Sequence, residues 1–216
     1  MQLFDTLRGQ KAQLPIPTDR PLTLYVCGVT PYDTTHVGHA HTFLIFDLLI
    51  RYLRHCGAEV AYCQNVTDVD TPLFERAARD HVAWDDLARR ETEQFVKDCA
   101  DLNLIPPTYF PKASEEIAPM QAIIERLIAL GHAYVRHGNV YFSIKTDPDY
   151  GAMTRLGYAD MLKIANERGN IPSDPNKNDP LDFVLWQAAA PGEPTWQSPW
   201  GPGRPGWHIE CTSMST

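Results

Sequence analysis

The sequence predicts an α/β fold built around a parallel strand–helix–strand unit, and three segments carry that expectation. The run Leu22 to Val26 (Leu-Thr-Leu-Tyr-Val) is short, apolar and β-favouring. Gly38 to Cys56 is a long apolar stretch whose polar residues Asp47, Arg51, Arg54 and His55 share one stripe, so the rest of this helix is expected to be buried. Ala58 to Val66 follows Gly57, a natural helix stop, and precedes the polar turn Thr67-Asp68-Val69-Asp70. Strand, helix and strand within about 45 residues make a βαβ unit with a right-handed crossover.

Three helical segments are expected next, starting near Thr71 or Pro72, running from Asp85 to Leu102, and running from Glu115 to Leu130. In the third, Ser114 is the candidate N-cap and two glutamates occupy the first turn. Ile117, Met120, Ile124 and Leu127 repeat at helical spacing, and Gly131 stands just past the end. Residues 71–132 therefore read as a helical insertion after a first unit at 22–70, leaving 133–216 as the remainder. In that remainder, Ala133 to Val135 and Val140 to Ile144 flank His137-Gly138-Asn139, a hairpin signal. Gly169 to Gly206 is rich in Pro, Gly, Asn and Asp and reads as loop, apart from a buried Leu181 to Ala190 stretch carrying Trp186. No internal repeat is present.

Composition narrows the class of function. With 216 residues, 44% of them hydrophobic, the chain can fill one substantial core and a small second lobe. A net charge of -8 removes the broad basic footprint of non-specific nucleic-acid binding. The five cysteines are odd in number, widely spaced and set in apolar surroundings with no secretory signal ahead of them, which points to a reducing cytoplasm. No apolar run reaches the roughly 18 residues of a membrane span. Even Phe43 to Leu53 is interrupted by Asp47 and Arg51, so no membrane partner is expected.

In an open parallel sheet, ligands bind beyond the carboxyl ends of the strands, where a helix N-terminus offers unpaired N–H groups and its dipole to phosphate. His36-Val37-Gly38-His39 falls at that point. Imidazoles three apart lie on one side of the helix entry, Gly38 admits a close approach to the backbone, and donors aimed at a phosphate stabilise charge as it develops. The plainer reading of such a pair is a helix cap or a solvated surface. Its place directly after a strand and a glycine turn, with Cys27 upstream, favours the chemical reading. Taken singly, Cys27 and Cys211 read as small buried hydrophobes, Trp207 as core packing, Thr67 as a turn cap, and Asp68 and Asp70 as capping residues.

These residues resemble a known family. His36-Val37-Gly38-His39 is similar to the His-Ile-Gly-His motif of the class I aminoacyl-tRNA synthetases. The cysteine-activating branch is matched by Tyr25-Val26-Cys27-Gly28, Gln64-Asn65-Val66-Thr67-Asp68-Val69-Asp70, Asp179-Pro180-Leu181-Asp182-Phe183 and Gly203-Arg204-Pro205-Gly206-Trp207-His208-Ile209-Glu210-Cys211. The resemblance implies a Rossmann-like (HIGH-type nucleotidyl transferase) parallel sheet with a helical insertion, incomplete at the C-terminus. It also implies activation of L-cysteine by ATP with Mg2+. By resemblance His36 and His39 are catalytic, and Thr30, His36, Gly38, His39 and, one turn further on, Thr42 meet ATP. Gly28, Thr67 and Trp207 surround the bound cysteine. Cys27 and Cys211 are two ligands of a zinc ion whose others, a His and a Glu, the family takes from further along. Zinc is borderline soft and accepts a thiolate at an open position, whereas serine offers no comparable ligand, so little editing is needed. Cys56, Cys63 and Cys99 match no family ligand and are assigned to the core.

The chain departs from the pattern in two respects. It lacks the Lys-Met-Ser-Lys-Ser motif that closes over the ATP phosphates, and it stops at Thr216, before the expected His and Glu ligands, the second half of the nucleotide fold and an anticodon-binding domain. A truncated catalytic domain, inactive alone in forming cysteinyl adenylate, is expected. The acceptor divides the motifs. Cysteine–tRNA ligases read Cys-Gly-Pro-Thr-Val-Tyr-Asp where this chain reads Cys27-Gly28-Val29-Thr30-Pro31-Tyr32-Asp33. That order, with Asp70-Thr71-Pro72-Leu73-Phe74-Glu75-Arg76-Ala77 and Glu167-Arg168-Gly169-Asn170-Ile171-Pro172, looks more like the related ligase that joins cysteine to glucosaminyl-inositol in mycothiol synthesis. Pro148-Asp149-Tyr150-Gly151 and the Asp179 to Phe183 motif resemble the tRNA ligase instead. The near-universal occurrence of the tRNA enzyme tilts the expectation to tRNA aminoacylation in protein biosynthesis, with glucosaminyl-inositol as the alternative acceptor. A non-catalytic remnant that binds nucleotide or zinc is the reading from another class.

Overall fold

A computed structural model describes all 216 residues. The chain opens with an exposed antiparallel hairpin, β1 (Gln2–Asp5) and β2 (Gln10–Gln13). Neither strand alternates apolar and polar residues toward a core, so no periodicity announces them. There follow β3 (Leu22–Val29), α1 (Val37–His55), β4 (Val60–Val66), α2 (Thr71–Asp80), α3 (Trp84–Asp101) and α4 (Ile117–Ala129). The remainder supplies β5 (Ala133–Arg136), β6 (Asn139–Phe142), α5 (Tyr158–Glu167), β7 (Phe183–Ala188), β8 (Gly203–Pro205) and α6 (Trp207–Ser215). No helix is long and apolar enough to cross a membrane. The elements pack as two units: Met1–Pro15 with Ala118–Ile209, and Ile16–Ile117 with Glu210–Thr216.

The second of these holds the strand–helix–strand unit. β3 and β4 run parallel in the register Leu22↔Val60 to Val26↔Gln64, and pairing resumes at Val29↔Val66. Three steps on β3 thus face two on β4, a bulge that places Cys27 and Gly28 where the ladder is broken. The other edge of β4 is covered by residues 109–112, through Gln64 N–H to Tyr109 O (3.0 Å) and Val66 N–H to Pro111 O (2.9 Å). Ile50, Leu53, Val66, Leu73 and Leu87 form the fully buried centre.

Helix α1 corrects one expectation. Its inward stripe is Phe43, Asp47, Ile50 and Leu53, while Leu44, Ile45, Leu48 and Tyr52 are exposed. The buried carboxylate is satisfied locally: Asp47 accepts from Ile105 N–H (2.8 Å) and from Arg51 Nε (2.7 Å). A polar residue that anchors the 104–110 loop therefore occupies a place that hydropathy assigns to solvent. Cys56 is exposed rather than in the core, and Cys63 and Cys99 are half-buried.

The turn after β4 is built by its aspartates. Asp70 caps α2 by accepting from Thr71 N–H (2.8 Å), and Asp68 accepts from both Ser114 N–H (2.8 Å) and Ser114 Oγ (2.6 Å). Ser114 is thus held by Asp68 and does not cap α4. The segment Ala113–Glu115 is a 3-10 turn, and α4 starts only at Ile117, beyond both glutamates.

In the other unit, β5, β6, β7 and β8 form an antiparallel sheet in that order. The β5–β6 turn places His137 and Gly138 at φ 50° and 81°, the left-handed pair that a two-residue hairpin requires. Asp182, fully buried, accepts from Tyr134 Oη (2.6 Å), Ile144 N–H (3.0 Å) and Asp179 N–H (3.0 Å), tying the Asp179 to Phe183 motif to that hairpin. Neither α5 nor β8 is signalled by hydropathy: α5 has no buried residue, and β8 is a three-residue strand within Pro- and Gly-rich sequence.

Candidate active site

Val29 leads through Thr30 and the Tyr32-Asp33 turn into α1. Tyr32 N–H donates to Thr30 O (2.9 Å), and Arg76 of α2 holds the turn from outside through Tyr32 O (3.4 Å) and Asp33 Oδ1 (3.3 Å). The Thr34 N–H, and then Arg76, keep the Asp33 carboxyl below its ordinary range.

His36 is the N-cap of α1. Gly38 N–H donates to His36 Nδ1 (3.0 Å) and His36 N–H donates to His39 Nδ1 (3.4 Å), with the rings stacked at 3.9 Å between centroids. The plainer reading, a helix cap, is therefore real, and it has a chemical corollary. An Nδ1 that accepts carries no proton, so each neutral ring bears its proton on Nε2 and keeps that donor for another group. Burial, and then His36, lower the His39 pKa, which holds that ring neutral at neutral pH. No acidic residue occupies the first turn of α1, so the helix dipole there is left for an anion.

Gly38 acquires a second reason. A Cβ there would lie 2.8 Å from His36 Cε1 and 2.9 Å from its Nδ1, so the glycine makes room for the capping ring. Gly38→Ala is expected to dislodge the ring and lose the cap, worth about 1 kcal/mol, while the helix gains about 0.5–1 kcal/mol from losing a glycine, so the two nearly cancel in stability. The His36 imidazole nitrogen shifts in NMR read the lost cap, and shifts unchanged from wild type would count against it. Thr42 is exposed, and its hydroxyl donates to Gly38 O (3.0 Å), within the helix itself.

The bulge and the end of β4 are joined by Asn65, a fully buried residue to which the Gln64 to Asp70 motif alone assigns no role. Its Oδ1 accepts from Gly28 N–H (2.8 Å) and Tyr25 Oη (2.9 Å), and its Nδ2 donates to Thr67 Oγ1 (3.2 Å). Thr67 N–H donates to Val29 O (2.9 Å). One amide thus sets the positions of both Gly28 and Thr67. The signal was available: an amide side chain within an otherwise apolar strand needs partners.

Cys27 and Cys211, 184 residues apart, bring their sulfurs to 3.9 Å. Either thiol can donate to the other; the contact with Cys27, and then Tyr25, lowers the Cys211 pKa to about 6 against the effect of burial, while the contact with Cys211, and then burial, push that of Cys27 up. Two tetrahedral zinc–sulfur bonds of about 2.3 Å set their sulfurs about 3.8 Å apart, so the pair has the separation of two corners of such a site. No group of three or more His, Cys, Asp or Glu side chains gathered for a metal occurs in the chain.

Trp207, in the other unit, is 51% exposed and stacks on His208 at 3.6 Å between centroids, so ordinary core packing does not describe it. His208 also lies 4.5 Å from the Phe183 ring, and burial pushes its pKa down to about 4. A histidine depressed in the folded state stabilises fully above its unfolded pKa, about 6.5, and loses that contribution as pH falls toward the folded value. Between pH 7 and pH 5 the loss is expected to be about 1–2 kcal/mol. Comparing the urea stability of wild type and His208→Phe at both pH values checks it, and equal pH slopes would contradict it.

The fold is shared with a solved Mycobacterium tuberculosis methionyl-tRNA synthetase bound by methionyl-adenylate. The TM-score is 0.63 at 14% identity, over 90% of this chain and 46% of that one. This defines the fold: a Rossmann-like α/β domain. Within it, residues 14–216 match the family described as tRNA synthetases class I (C) catalytic domain, and the chain belongs to that family. Curated relatives carry the name L-cysteine:1D-myo-inositol 2-amino-2-deoxy-alpha-D-glucopyranoside ligase. That of Thermomonospora curvata is 48% identical over all of this chain and 51% of its own length. Those of Mycolicibacterium gilvum and Mycobacterium tuberculosis are 46% and 44% identical over all of this chain and 49% and 53% of theirs. The chain spans about half the length of the curated relatives it matches.

Proposed function

We propose that this chain is the cysteine- and ATP-binding part of a ligase that activates L-cysteine as its adenylate and transfers it to the amine of glucosaminyl-inositol. The observation that carries the first half is the Cys27–Cys211 sulfur pair at 3.9 Å, in the same unit as a helix that opens on two Nε2–H imidazoles. The names of the relatives support the second half. They favour the amine acceptor over tRNA, against the tilt that the commonness of tRNA ligases gives the sequence, and so does the Cys27 to Asp33 order.

Cys27 and Cys211 would hold zinc, which supplies a Lewis-acid position for the substrate thiolate and so selects cysteine over serine. Gly28 and Thr67, set by Asn65, line the amino-acid position, with Trp207 assigned to the same substrate. The cysteine carboxylate attacks the α-phosphate of ATP, carried with Mg2+, and pyrophosphate leaves. His36 and His39 donate from Nε2 to the phosphate oxygens as charge builds, with the N-terminus of α1 behind them. Thr30 and Gly38 border the nucleotide, and Thr42, whose hydroxyl is already engaged, contributes shape.

The test supplies the full-length enzyme that carries this segment with cysteine, ATP and either glucosaminyl-inositol or tRNA. Amide formation with the amino sugar and none of the tRNA ester is expected. Charging of tRNA alone would overturn the acceptor, and absence of cysteine-dependent pyrophosphate exchange would overturn the activation step. His36→Ala and His39→Ala are each expected to lower exchange by about 100-fold or more, as loss of a transition-state donor does.

A further inference from the structure

We propose that the unit carrying the bulge holds a second ligand site, a cleft of about 310 Å³ between α1, α3, β4 and the 104–110 loop, fitted to a neutral, flat aromatic molecule with one hydrogen-bond acceptor. The shape of the occupant follows from the walls. Phe43 and Phe95 meet edge to face at 5.3 Å between centroids, and Tyr62 and Phe110 line the same space. Aromatic faces and edges arranged this way receive another ring well. A volume of this size lies at the small end of small-molecule sites, which limits the occupant to one or two rings.

The neutrality follows from the polar groups. Asp47 is the one carboxylate in the lining, and each of its oxygens is engaged, one by Ile105 N–H and the other by Arg51 Nε. Cys99 also lines the cleft, and burial pushes its thiol up to about 11, so it stays protonated. A charged ligand would give up its hydration to meet no free counter-charge.

The acceptor follows from Gln64, which lines the cleft and is only 4% exposed. Its Oε1 accepts from Tyr62 Oη at 2.7 Å, which leaves Nε2 as the outstanding group. That Nε2 has no partner. A buried donor without an acceptor is uncommon enough to call for one, and a carbonyl oxygen or ring nitrogen on the occupant supplies it.

The cleft is separate from the adenylate site. Neighbouring residues of a strand point to opposite faces, so Gln64 and Asn65 serve opposite sides of β4, Asn65 turning to Tyr25 and Gly28. The two sites nevertheless share α1, because Phe43 and Asp47 lie one and two turns beyond His39.

The experiment uses para-fluoroacetophenone, which carries the acceptor, and para-fluoroethylbenzene, which lacks it, followed by fluorine NMR on the purified chain. Saturable binding of the ketone, about five- to tenfold tighter than the hydrocarbon, is expected, the margin of one hydrogen bond. Gln64→Leu should erase the preference and leave the hydrocarbon bound as before. Ala100→Phe should weaken both probes at least tenfold. Val96 is half exposed at the rim, so Val96→Trp provides a second block that spares the interior, with circular dichroism confirming the fold of each variant. Unsaturable binding, equal affinity of the two probes for wild type, or undiminished binding in the folded blocking variants would each overturn the assignment.

Discussion

Gly28→Ala is expected to separate β3 from β4 and to leave the unit around them without a stable fold. A Cβ at this position would stand 1.7 Å from Asn65 O and 2.8 Å from Asn65 C. Both atoms are backbone, so no side-chain rotation relieves the overlap, and the strands must part at the bulge where Gly28 N–H meets Asn65 Oδ1. Parting them exposes Val26, Val29 and Val66, each buried in the native protein. A loss above about 4 kcal/mol follows, in the range reserved for backbone conflicts and ruptured cores. Urea titration with tryptophan and tyrosine fluorescence measures it, and a native-like midpoint in the variant would contradict the geometry.

Asn65→Ala is expected to destabilise the chain by about 3–5 kcal/mol. The amide is fully buried, and its loss leaves Gly28 N–H and Tyr25 Oη without their acceptor and Thr67 Oγ1 without its donor. Each orphaned buried polar group costs about 1–3 kcal/mol, and the cavity adds to this. Tyr25→Phe removes one of the three bonds, together with the Tyr25 contact to Cys211, and leaves Asn65 Oδ1 with Gly28 N–H, so about 1 kcal/mol is expected there. The two variants measured side by side separate a hub from an ordinary contact. If Asn65→Ala cost no more than Tyr25→Phe, Asn65 would not be the residue that positions both Gly28 and Thr67.

Much of this architecture was legible because local signals agreed. Leu22 to Val26, Gly57 and the Thr67 to Asp70 turn mark a strand, a stop and a turn, and the structure has β3, α1, β4 and α2 in those places. The His137-Gly138 pair announces its hairpin through the backbone that it must adopt. Elements that bury little were not legible: the β1–β2 hairpin and α5 expose most of their residues and bury none fully, so hydropathy had little to record. Asp47 misled for the opposite reason, since a carboxylate matched to Ile105 N–H and Arg51 sits inside where its type is rare.

At the candidate site, residue types and chain position were visible, whereas atoms were not. Sequence could not say that the cap occupies Nδ1 of both imidazoles and thereby leaves Nε2 as the donor. Nor could it pair Cys27 with Cys211, because no local spacing relates them; the family resemblance supplies that pairing as zinc ligands, and the structure brings the two sulfurs to 3.9 Å. Ser114 looked like a cap through its type alone, and only the tertiary bond to Asp68 removes it from that role.

The bulge in β3 also governs which kinds of genetic change this strand can absorb. Three residues there span the same distance as two on β4, so the side-chain alternation before Val26 and after Val29 is out of phase by one. Deleting either residue between those valines would restore an even ladder with Val26 and Val29 still opposite Gln64 and Val66, but it would abolish the break that presents Cys27 to Cys211 and Gly28 to Asn65. The strand should therefore accept conservative replacements at Leu22 or Leu24 yet reject a single-codon deletion anywhere from Cys27 to Gly28. In this stretch the count of residues is under stricter constraint than the identity of most of them.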